Sequence, residues 1–570
     1  MPRVFLRVFA VVLAAAAAGC TKPAAYDVII RHGMLYDGTG APGKTSDIAI
    51  LDDRIAAMGD LTDERGREEF DATGMAVAPG FINMLSHSET SLIEDGHAQG
   101  TLRQGVTLEV FGESSMGPLT DDMARDQMER QGDIKFNIVW RTLGGYLEHL
   151  IARGISTNVA SFVSAATVRA NVVGLDNRAP NAQELDRMRE LVKTAMDEGA
   201  MGLTTALIYI PGVFAKTDEL VELAKVATAS GGMYISHMRS EGDRLLEAID
   251  ETLTIAHDAK IRAEIYHLKE SGQTNWNKLD AVIAKVEGAR QDGLEITADM
   301  YNYTAGSTGL DAAMPPWVQE GGYKKWAERL KDPKIRERVR REMTAPGPSW
   351  ENLLQAAGGK GVLLVGFKNE ALREYAGKTL EDVARLRGKS VQDTAMDLVV
   401  EDGSRVQVVY FLMSEENVKR QIALPWVRFG SDASSMAPVE PFTKTSTHPR
   451  AYGNFARLLG KYVRDEHVIP MEEAIRKLTL LPATTLRIKE RGKLEKGYFA
   501  DIVVFDPKTI ADTSTYEKPH SYAVGVRHVW VNGGQVINNG EHTGQKPGRV
   551  VRGPGWKPAR SGGAGTKTPS

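Results

Sequence analysis

The chain has 570 residues, of which 42% are hydrophobic and 25% are charged, a composition typical of an ordinary globular protein. Its 70 basic and 74 acidic residues give a formal net charge of -4. The sequence has no basic stripe interleaved with aromatic residues, so it gives no reason to expect nucleic acid as a partner. The length exceeds that of a single α/β barrel, which often takes about 250 residues, and leaves room for a further domain.

The N-terminus has the pattern of a secretory signal. Arg3 and Arg7 precede a short apolar run over residues 8–18, which is too short to cross a bilayer as a helix. Cys20 follows and is the only cysteine, so no internal disulfide can form. Ala-Gly-Cys resembles a bacterial lipoprotein box, which implies a signal peptide over residues 1–20, lipidation of Cys20 and attachment to the cell envelope, facing the periplasm. The alternative is a plain signal peptide with an incidental cysteine.

Membrane contact is expected only through that lipid, because no later segment is long and apolar enough to span a bilayer. Short runs rich in β-branched residues stand at both ends of the mature chain and are typical of antiparallel strands. We expect residues 26–79 and 486–550 to pair as one small β-sandwich domain. The tail is rich in Gly, Pro, Lys and Ser, and residues 556–570 are predicted to be disordered.

Between these ends, over residues 80–485, short apolar strands alternate with helical patterns. Three helix–strand pairs are clear: 183–198 with 201–205, 219–228 with 233–237, and 245–259 with 263–267. Successive βα units favour a parallel sheet, and enough of them favour closure. The predicted fold class is therefore α/β, a (β/α)8 TIM barrel beside the β-sandwich. A segment at about 315–408, with a charged helical run over 323–343, is predicted to be an insertion over the barrel mouth.

Two histidines end successive predicted strands. His237 closes the strand over 233–237, and His267 closes the strand over 263–267. Active sites of βα barrels lie at this end of the strands. Because adjacent strands lie about 5 Å apart, the two imidazoles could converge on one metal ion. Spacing alone leaves open a second interpretation, in which both are ordinary polar residues of loops.

Two carboxylates follow other predicted strands. A zinc site with two histidines needs at least one more protein ligand, and Glu113 is the candidate because it ends an earlier strand pattern, which leaves one position for a water that zinc activates. Asp432 ends a later one and could carry a proton from water to the leaving nitrogen of an amide. The alternatives are a solvated loop residue for Glu113, and a turn with a helix cap for Asp432.

Seven short motifs, each present once, follow one another in an order typical of one protein family, and the resemblance spans about residues 26 to 555. They are Ala78-Pro79-Gly80-Phe81-Ile82, Gly105-Val106-Thr107, Ser236-His237-Met238-Arg239-Ser240-Glu241, His267-Leu268-Lys269, Gly430-Ser431-Asp432, His448-Pro449-Arg450-Ala451-Tyr452-Gly453 and Gly497-Tyr498-Phe499-Ala500-Asp501-Ile502-Val503. In this order they resemble the amidohydrolase superfamily and, within it, the D-aminoacylase (N-acyl-D-amino-acid deacylase) family.

This resemblance implies a (β/α)8 barrel with a small β-sandwich, a zinc ion ligated by His237 and His267, and Asp432 as the general acid and base. It also implies contacts with the substrate by four further side chains, namely Lys269, Tyr209, Tyr303 and Arg450. Either tyrosine fits equally well as a core aromatic residue.

The sequence departs from the family pattern at two places. Where the family has His-x-His, this chain has Leu85-Ser86-His87, so only His87 remains in register. The cysteine that many D-aminoacylases place after the Gly-Val-Thr strand is absent, and Glu113 stands there, as in some sugar deacetylases of the superfamily. We therefore predict one tightly bound zinc ion, held by Glu113, His237 and His267, rather than two. A second, weaker site that involves His87 and Asp432 stays open as an alternative.

The predicted function is zinc-dependent hydrolysis of the amide of an N-acyl amino acid, with D configuration as one option. A second hypothesis keeps the scaffold and changes the small-molecule substrate to a cyclic amide, a dipeptide or another carboxamide. A third is a lipoprotein that kept the barrel and only binds a ligand, for which Leu85 is the one supporting residue. The sequence does not fix the oligomeric state.

Overall fold

The computed structural model describes residues 23–345, 347 and 349–558. The predicted signal peptide with Cys20, and the predicted tail beyond residue 558, lie outside this part of the chain. Among the residues that the structure describes, no helix combines the length and the apolar character that crossing a membrane requires.

Eight parallel strands form a barrel. The first three pair in order, the third continues as Val163–Ser164 to reach the fourth, and the fourth to eighth pair in turn. A parallel bridge between Ser86 and Ala433 brings the eighth strand back to the first and closes the ring. The strands are Phe81–Ser86, Val106–Phe111, Asn158–Ser161, Gly202–Ala206, Met233–His237, Ala263–Ile265, Ile296–Met300 and Val427–Phe429.

Amphipathic helices cover the barrel. In Ala182–Asp197, Asn181 and Glu184 form a capping box, and the buried face carries Met188, Val192 and Met196 against the strands. The other helices outside the insertion are Ser91–Glu94, Gln99–Leu102, Asp121–Arg130, Leu143–Arg153, Ala165–Val172, Thr217–Ala229, Leu245–Asp258, Leu279–Gln291, Glu415–Ala423, Arg450–Arg457, Leu458–Asp465, Met471–Leu478 and Leu480–Leu486.

The two ends of the chain share one nine-stranded sheet. Ala76–Pro79 pairs antiparallel with Ile502–Phe505, which joins the N-terminal strands to the C-terminal ones. Ile30, Ile48 and Trp530 contribute to a common buried core. The remaining strands are Tyr26–Leu35, Lys44–Leu51, Arg54–Gly59, Gly66–Asp71, Val526–Val531, Gly534–Asn538 and Glu541–His542.

A separate segment lies between the seventh and eighth barrel strands and has its own buried core, which includes Trp326, Leu364 and Tyr410. Its antiparallel sheet runs from Ala305 to Phe411, so one outer strand precedes the predicted limits of 315–408. Its strands are Ala305–Gly309, Val362–Gly366 and Gln407–Phe411, and its helices are Pro316–Gln319, Tyr323–Arg329, Pro333–Thr344, Leu353–Ala357, Leu380–Arg387 and Val391–Asp402.

The charged run over 323–343 is not one helix, as the sequence pattern suggests, but two. The second begins at Pro333, whose missing N–H and fixed φ suit the first helical turn but not a helix interior. The side chain of Asp332 accepts hydrogen bonds from the backbone N–H groups of Lys334 and Ile335 and so caps this second helix.

Candidate metal centre and active site

Four of the predicted site residues meet at the carboxyl ends of barrel strands. Glu113 follows the second strand, His237 is the last residue of the fifth, His267 follows the sixth and Asp432 follows the eighth. This is the end of a βα barrel at which loops assemble active sites.

Glu113, His237 and His267 form one candidate metal site. The Oε1 atom of Glu113 lies 2.8 Å from Nδ1 of His237 and 2.7 Å from Nε2 of His267. Both imidazoles are almost fully buried, and the three ligand atoms lie within 4.8 Å of one another. Two nitrogens and one carboxylate oxygen are donors that suit zinc, and three protein ligands leave a coordination position open.

Glu113 also belongs to a second cluster. Its Oε2 atom lies 3.6 Å from Nε2 of His87, and that same nitrogen lies 3.0 Å from Oδ1 of Asp432. The second site predicted from His87 and Asp432 therefore gains a third ligand, shared with the first site. Leu85, at the position of the missing histidine, is fully buried in the barrel interior and offers no ligand atom.

Three of these residues have left-handed backbone conformations: φ is 60° at Glu113, 35° at His267 and 49° at Asp432. For a residue other than glycine this conformation costs about 1–2 kcal/mol. A hydrogen bond fixes the backbone N–H of each, and the acceptors, in the same order, are Thr204 Oγ1 at 3.1 Å, Asp299 Oδ1 at 2.8 Å and Leu85 O at 2.9 Å. Such strain persists where surrounding contacts enforce it, and it is concentrated at functional sites.

A buried carboxylate orients His267. Oε1 of Glu241 lies 2.8 Å from Nδ1 of His267 and 2.6 Å from Nζ of Lys269. Nδ1 of His267 also lies 2.7 Å from Nζ of Lys269. When Nδ1 carries the proton and donates it to Glu241, Nε2 keeps a free lone pair towards Glu113, which is the tautomer that a metal ligand needs. Burial raises the pKa of Glu241, but the charges of Lys269 and His267 hold it well below its usual range.

On the opposite side, Asp432 lies between an imidazole and a guanidinium. Nη1 of Arg450 is 2.8 Å from Oδ2 of Asp432, and the guanidinium lies over the ring of Tyr301. Burial raises the pKa of the Asp432 carboxyl, but Arg450 and the hydrogen bond to His87 hold it below its usual value. Burial lowers the pKa of His87, but Asp432 and Glu113 together raise it to about 9.

These groups line one cavity of about 720 Å³. Lys269, Tyr209 and Arg450, predicted as substrate contacts, all lie in its wall, and the hydroxyl of Tyr209 is 2.7 Å from Thr308 Oγ1. Tyr303 does not line this cavity, because its hydroxyl donates to Asp512 at 3.2 Å, and Tyr301 occupies the wall instead.

Among the cavity residues that were not predicted as site residues, three polar ones stand out. Glu241 stands four residues after His237, inside a family motif, and that spacing was its available signal. Tyr301 directly follows the seventh barrel strand, whereas Tyr303 lies in the bend beyond it. Arg405 precedes a strand of the inserted segment, pairs with Asp311 at 3.0 Å and reaches the cavity by a fold that no local pattern indicates.

A closed βα barrel with imidazoles and carboxylates converging at its carboxyl end defines a metal-dependent hydrolase of the TIM-barrel class. The chain belongs to the amidohydrolase family, whose model matches residues 68–537. It is a hydrolase that acts on amide bonds, as predicted.

Relatives match nearly the whole chain. The D-aminoacylase of Alcaligenes xylosoxydans xylosoxydans is 33% identical over 533 residues, which cover 92% of this chain and 97% of the relative. A D-aminoacylase structure with a binuclear metal centre has a TM-score of 0.78 at 31% identity, covering 92% of this chain and 100% of that one. The N-acyl-D-glutamate deacylase of Bordetella bronchiseptica, complexed with zinc and a phosphonate inhibitor, has a TM-score of 0.77 at 30% identity, covering 92% and 99%. The predicted family and fold class are confirmed.

Proposed function

We propose that this chain hydrolyses the amide bond of N-acyl-D-amino acids with the help of one zinc ion. One observation carries the proposal: Nδ1 of His237 and Nε2 of His267 both lie within 2.8 Å of the same carboxylate oxygen of Glu113. Asp432 and Arg450 line the same cavity. The similarity to D-aminoacylase and to N-acyl-D-glutamate deacylase supports the substrate class and the D configuration.

The charges of the cavity floor support one ion rather than two. With His87 protonated, as its pKa of about 9 implies, three carboxylates face three cations there, namely Glu113, Glu241, Asp432, His87, Lys269 and Arg450, and their charges balance. One divalent cation leaves a net positive charge, which complements a substrate with one carboxylate. A second ion would first have to displace the proton of His87 and would then leave three positive charges in a buried space, at a large electrostatic cost. A preference for one ion agrees with a D-aminoacylase that one metal ion activates and a second metal ion attenuates.

When bound, zinc would polarise the substrate carbonyl and lower the pKa of a water molecule. Asp432 has the position and the low pKa of a group that is ionised at neutral pH and accepts a proton from the attacking water. Delivery of that proton to the amide nitrogen allows the amine to leave. The guanidinium of Arg450, buried beside Asp432, binds the α-carboxylate of the substrate and so places the amide nitrogen within reach of this carboxyl group.

The two sides of the cavity beyond the metal site differ in character. One side carries the apolar residues Met123, Ala166, Ala170 and Leu175 beside the polar Asp126, Gln127, Arg130 and Thr167, whereas the other presents Ser307, Thr308, Arg405 and Gln407 from the inserted segment. We propose that the acyl chain lies along the four apolar residues and the amino-acid side chain along the inserted segment. We also propose that Cys20 anchors the mature enzyme to the cell envelope through a lipid.

The test is a substrate panel on the zinc-loaded protein. It contains N-acetyl and longer N-acyl amino acids in both configurations, together with dipeptides and cyclic amides, and it measures release of the free amine. We expect turnover of N-acyl-D-amino acids and none of their L enantiomers. Turnover of only cyclic amides or dipeptides, or a protein that holds zinc and hydrolyses no member of the panel, would overturn the proposed substrate class.

A further inference from the structure

One side chain of the inserted segment makes direct hydrogen bonds to the barrel loop that follows His237. Glu351 stands just before the helix Leu353–Ala357. Its Oε2 atom accepts a hydrogen bond from the hydroxyl of Ser240 at 2.6 Å, and its Oε1 atom accepts one from the backbone N–H of Glu241 at 3.2 Å. The two oxygens of the Glu351 carboxylate therefore accept hydrogen bonds from two consecutive residues of one turn, one oxygen from each residue.

This turn is built tightly around Glu351. The hydroxyl oxygen of Ser240 also accepts from the backbone N–H groups of Gly242 and Arg244, each at 3.2 Å. A Cβ atom at Gly242 would lie 3.3 Å from Oε1 of Glu351, so the backbone and the carboxylate are already in close contact. The carbonyl of Glu241 accepts from Ser271 at 2.7 Å, which ties the turn to the loop after the sixth barrel strand.

The side chain of Glu241 points from this turn into the site, where its Oε1 atom lies 2.8 Å from Nδ1 of His267 and accepts a hydrogen bond from Nζ of Lys269 at 2.6 Å; the same Nζ lies 2.7 Å from Nδ1 of His267. Glu351 itself does not line the main cavity. It reaches the metal ligand His267 only through Glu241, so its contribution is to hold another residue in place.

We propose that Glu351 is a positioning residue of the metal centre, which fixes the Ser240–Glu241 turn so that Glu241 orients His267 and Lys269. The expected effect on catalysis rests on the proposed function, whereas the expected effect on zinc affinity can be measured without any substrate. Removal of an outer partner of a metal ligand lowers metal affinity by about 10–100-fold. Because Glu351 acts one hydrogen bond further out, we expect a loss of about 3–10-fold, by scaling down that range.

The experiment uses the full zinc-loaded chain and compares Glu351→Ala with Glu351→Gln. The zinc dissociation constant is measured by chelator competition without substrate, alongside kcat, KM and thermal unfolding. Glu342→Gln is the matched control, because Glu342 also lies on the inserted segment but bonds Trp317 and Arg338 of that segment. We expect weaker zinc binding and lower kcat in Glu351→Ala, a smaller effect in Glu351→Gln, which keeps one acceptor oxygen, and none in the control.

A double-mutant cycle separates positioning from general destabilisation. Since Ser240 and Glu351 act through one turn, Ser240→Ala added to Glu351→Ala should weaken zinc binding little further. The proposal is overturned if Glu351→Ala and Glu351→Gln change only the unfolding temperature, if Glu342→Gln weakens zinc equally, or if the wild-type chain binds no zinc. If zinc binding responds as expected but no N-acyl amino acid is hydrolysed, the substrate assignment fails and the positioning role of Glu351 stands.

Discussion

Replacement of Asp432 by Asn tests the chemistry with little change to the fold. Asparagine has nearly the same shape and is among the few residues that tolerate the left-handed backbone found here, so the protein should stay folded. The substitution removes the group proposed to carry the proton, a role that contributes about 10²–10⁴-fold. At 1.36 kcal/mol for each tenfold change, the barrier should rise by about 3–5 kcal/mol.

The same substitution should leave substrate affinity intact or improve it. Arg450 loses the carboxylate 2.8 Å away and becomes a stronger partner for an anionic substrate, so KM should stay constant or fall while kcat collapses. Amine release gives kcat and KM, and elemental analysis gives zinc per chain. Asp512→Asn is the control, because Asp512 pairs with Arg457 outside the cavity. A variant with more than a tenth of wild-type kcat, or without zinc, would refute the role of Asp432.

Three further predictions concern other parts of the molecule. His87→Ala should keep one zinc per chain but lose any second ion taken up from excess zinc, because the imidazole facing Oε2 of Glu113 is gone; elemental analysis checks this. Arg450→Met should raise KM by about 10–100-fold with a smaller fall in kcat, from the loss of a charged hydrogen bond of about 1.5–3 kcal/mol. Lys477→Met should raise the thermal unfolding temperature most near pH 7 and less towards pH 10. Lys477 is buried, donates to the carbonyls of Leu424 and Val427, and burial lowers its pKa to about 7.

The sign of the last effect follows from proton linkage. In the unfolded chain the lysine has a pKa of about 10.4 and is protonated below that pH. Folding must then either remove the proton or bury the charged ammonium, and either one lowers the stability of the folded state. The cost is absent above pH 10.4, grows as the pH falls, and is complete near the folded pKa of about 7. A gain from Lys477→Met that does not vary with pH would contradict this account. Likewise, a full second zinc in His87→Ala, or an unchanged KM in Arg450→Met, would contradict the assigned roles.

The sequence was sufficient for the barrel because hydrophobic strands and amphipathic helices leave local patterns. The strand Met233–His237 ends at the predicted histidine, and the helix Ala182–Asp197 differs from its predicted bounds by one residue at each end. The ends of predicted strands then indicated Glu113 and Asp432, which lie far apart in the chain, and one family motif, Gly430-Ser431-Asp432, supported the second. In each case the signal was local, either periodicity or a short motif, and the parallel barrel supplied the convergence.

What the sequence could not supply were contacts between distant segments. Glu351 and Glu241 are 110 residues apart, and nothing near either residue indicates that they meet. Nothing in the sequence around Tyr301 and Tyr303 locates the bend that turns Tyr303 towards Asp512 and leaves Tyr301 in the cavity wall. In contrast, the break at Pro333 had a readable cause, since proline in that position favours the start of a helix over its interior.

The left-handed backbones of Glu113, His267 and Asp432 set a limit on how this enzyme can be stabilised. At all three positions glycine would relax the main chain, so a search that selects only for resistance to heat will favour replacing the residues that we propose carry the chemistry. Thermostable variants obtained in that way should be well folded and inactive. Improvement by selection must therefore proceed elsewhere, with these three positions held constant.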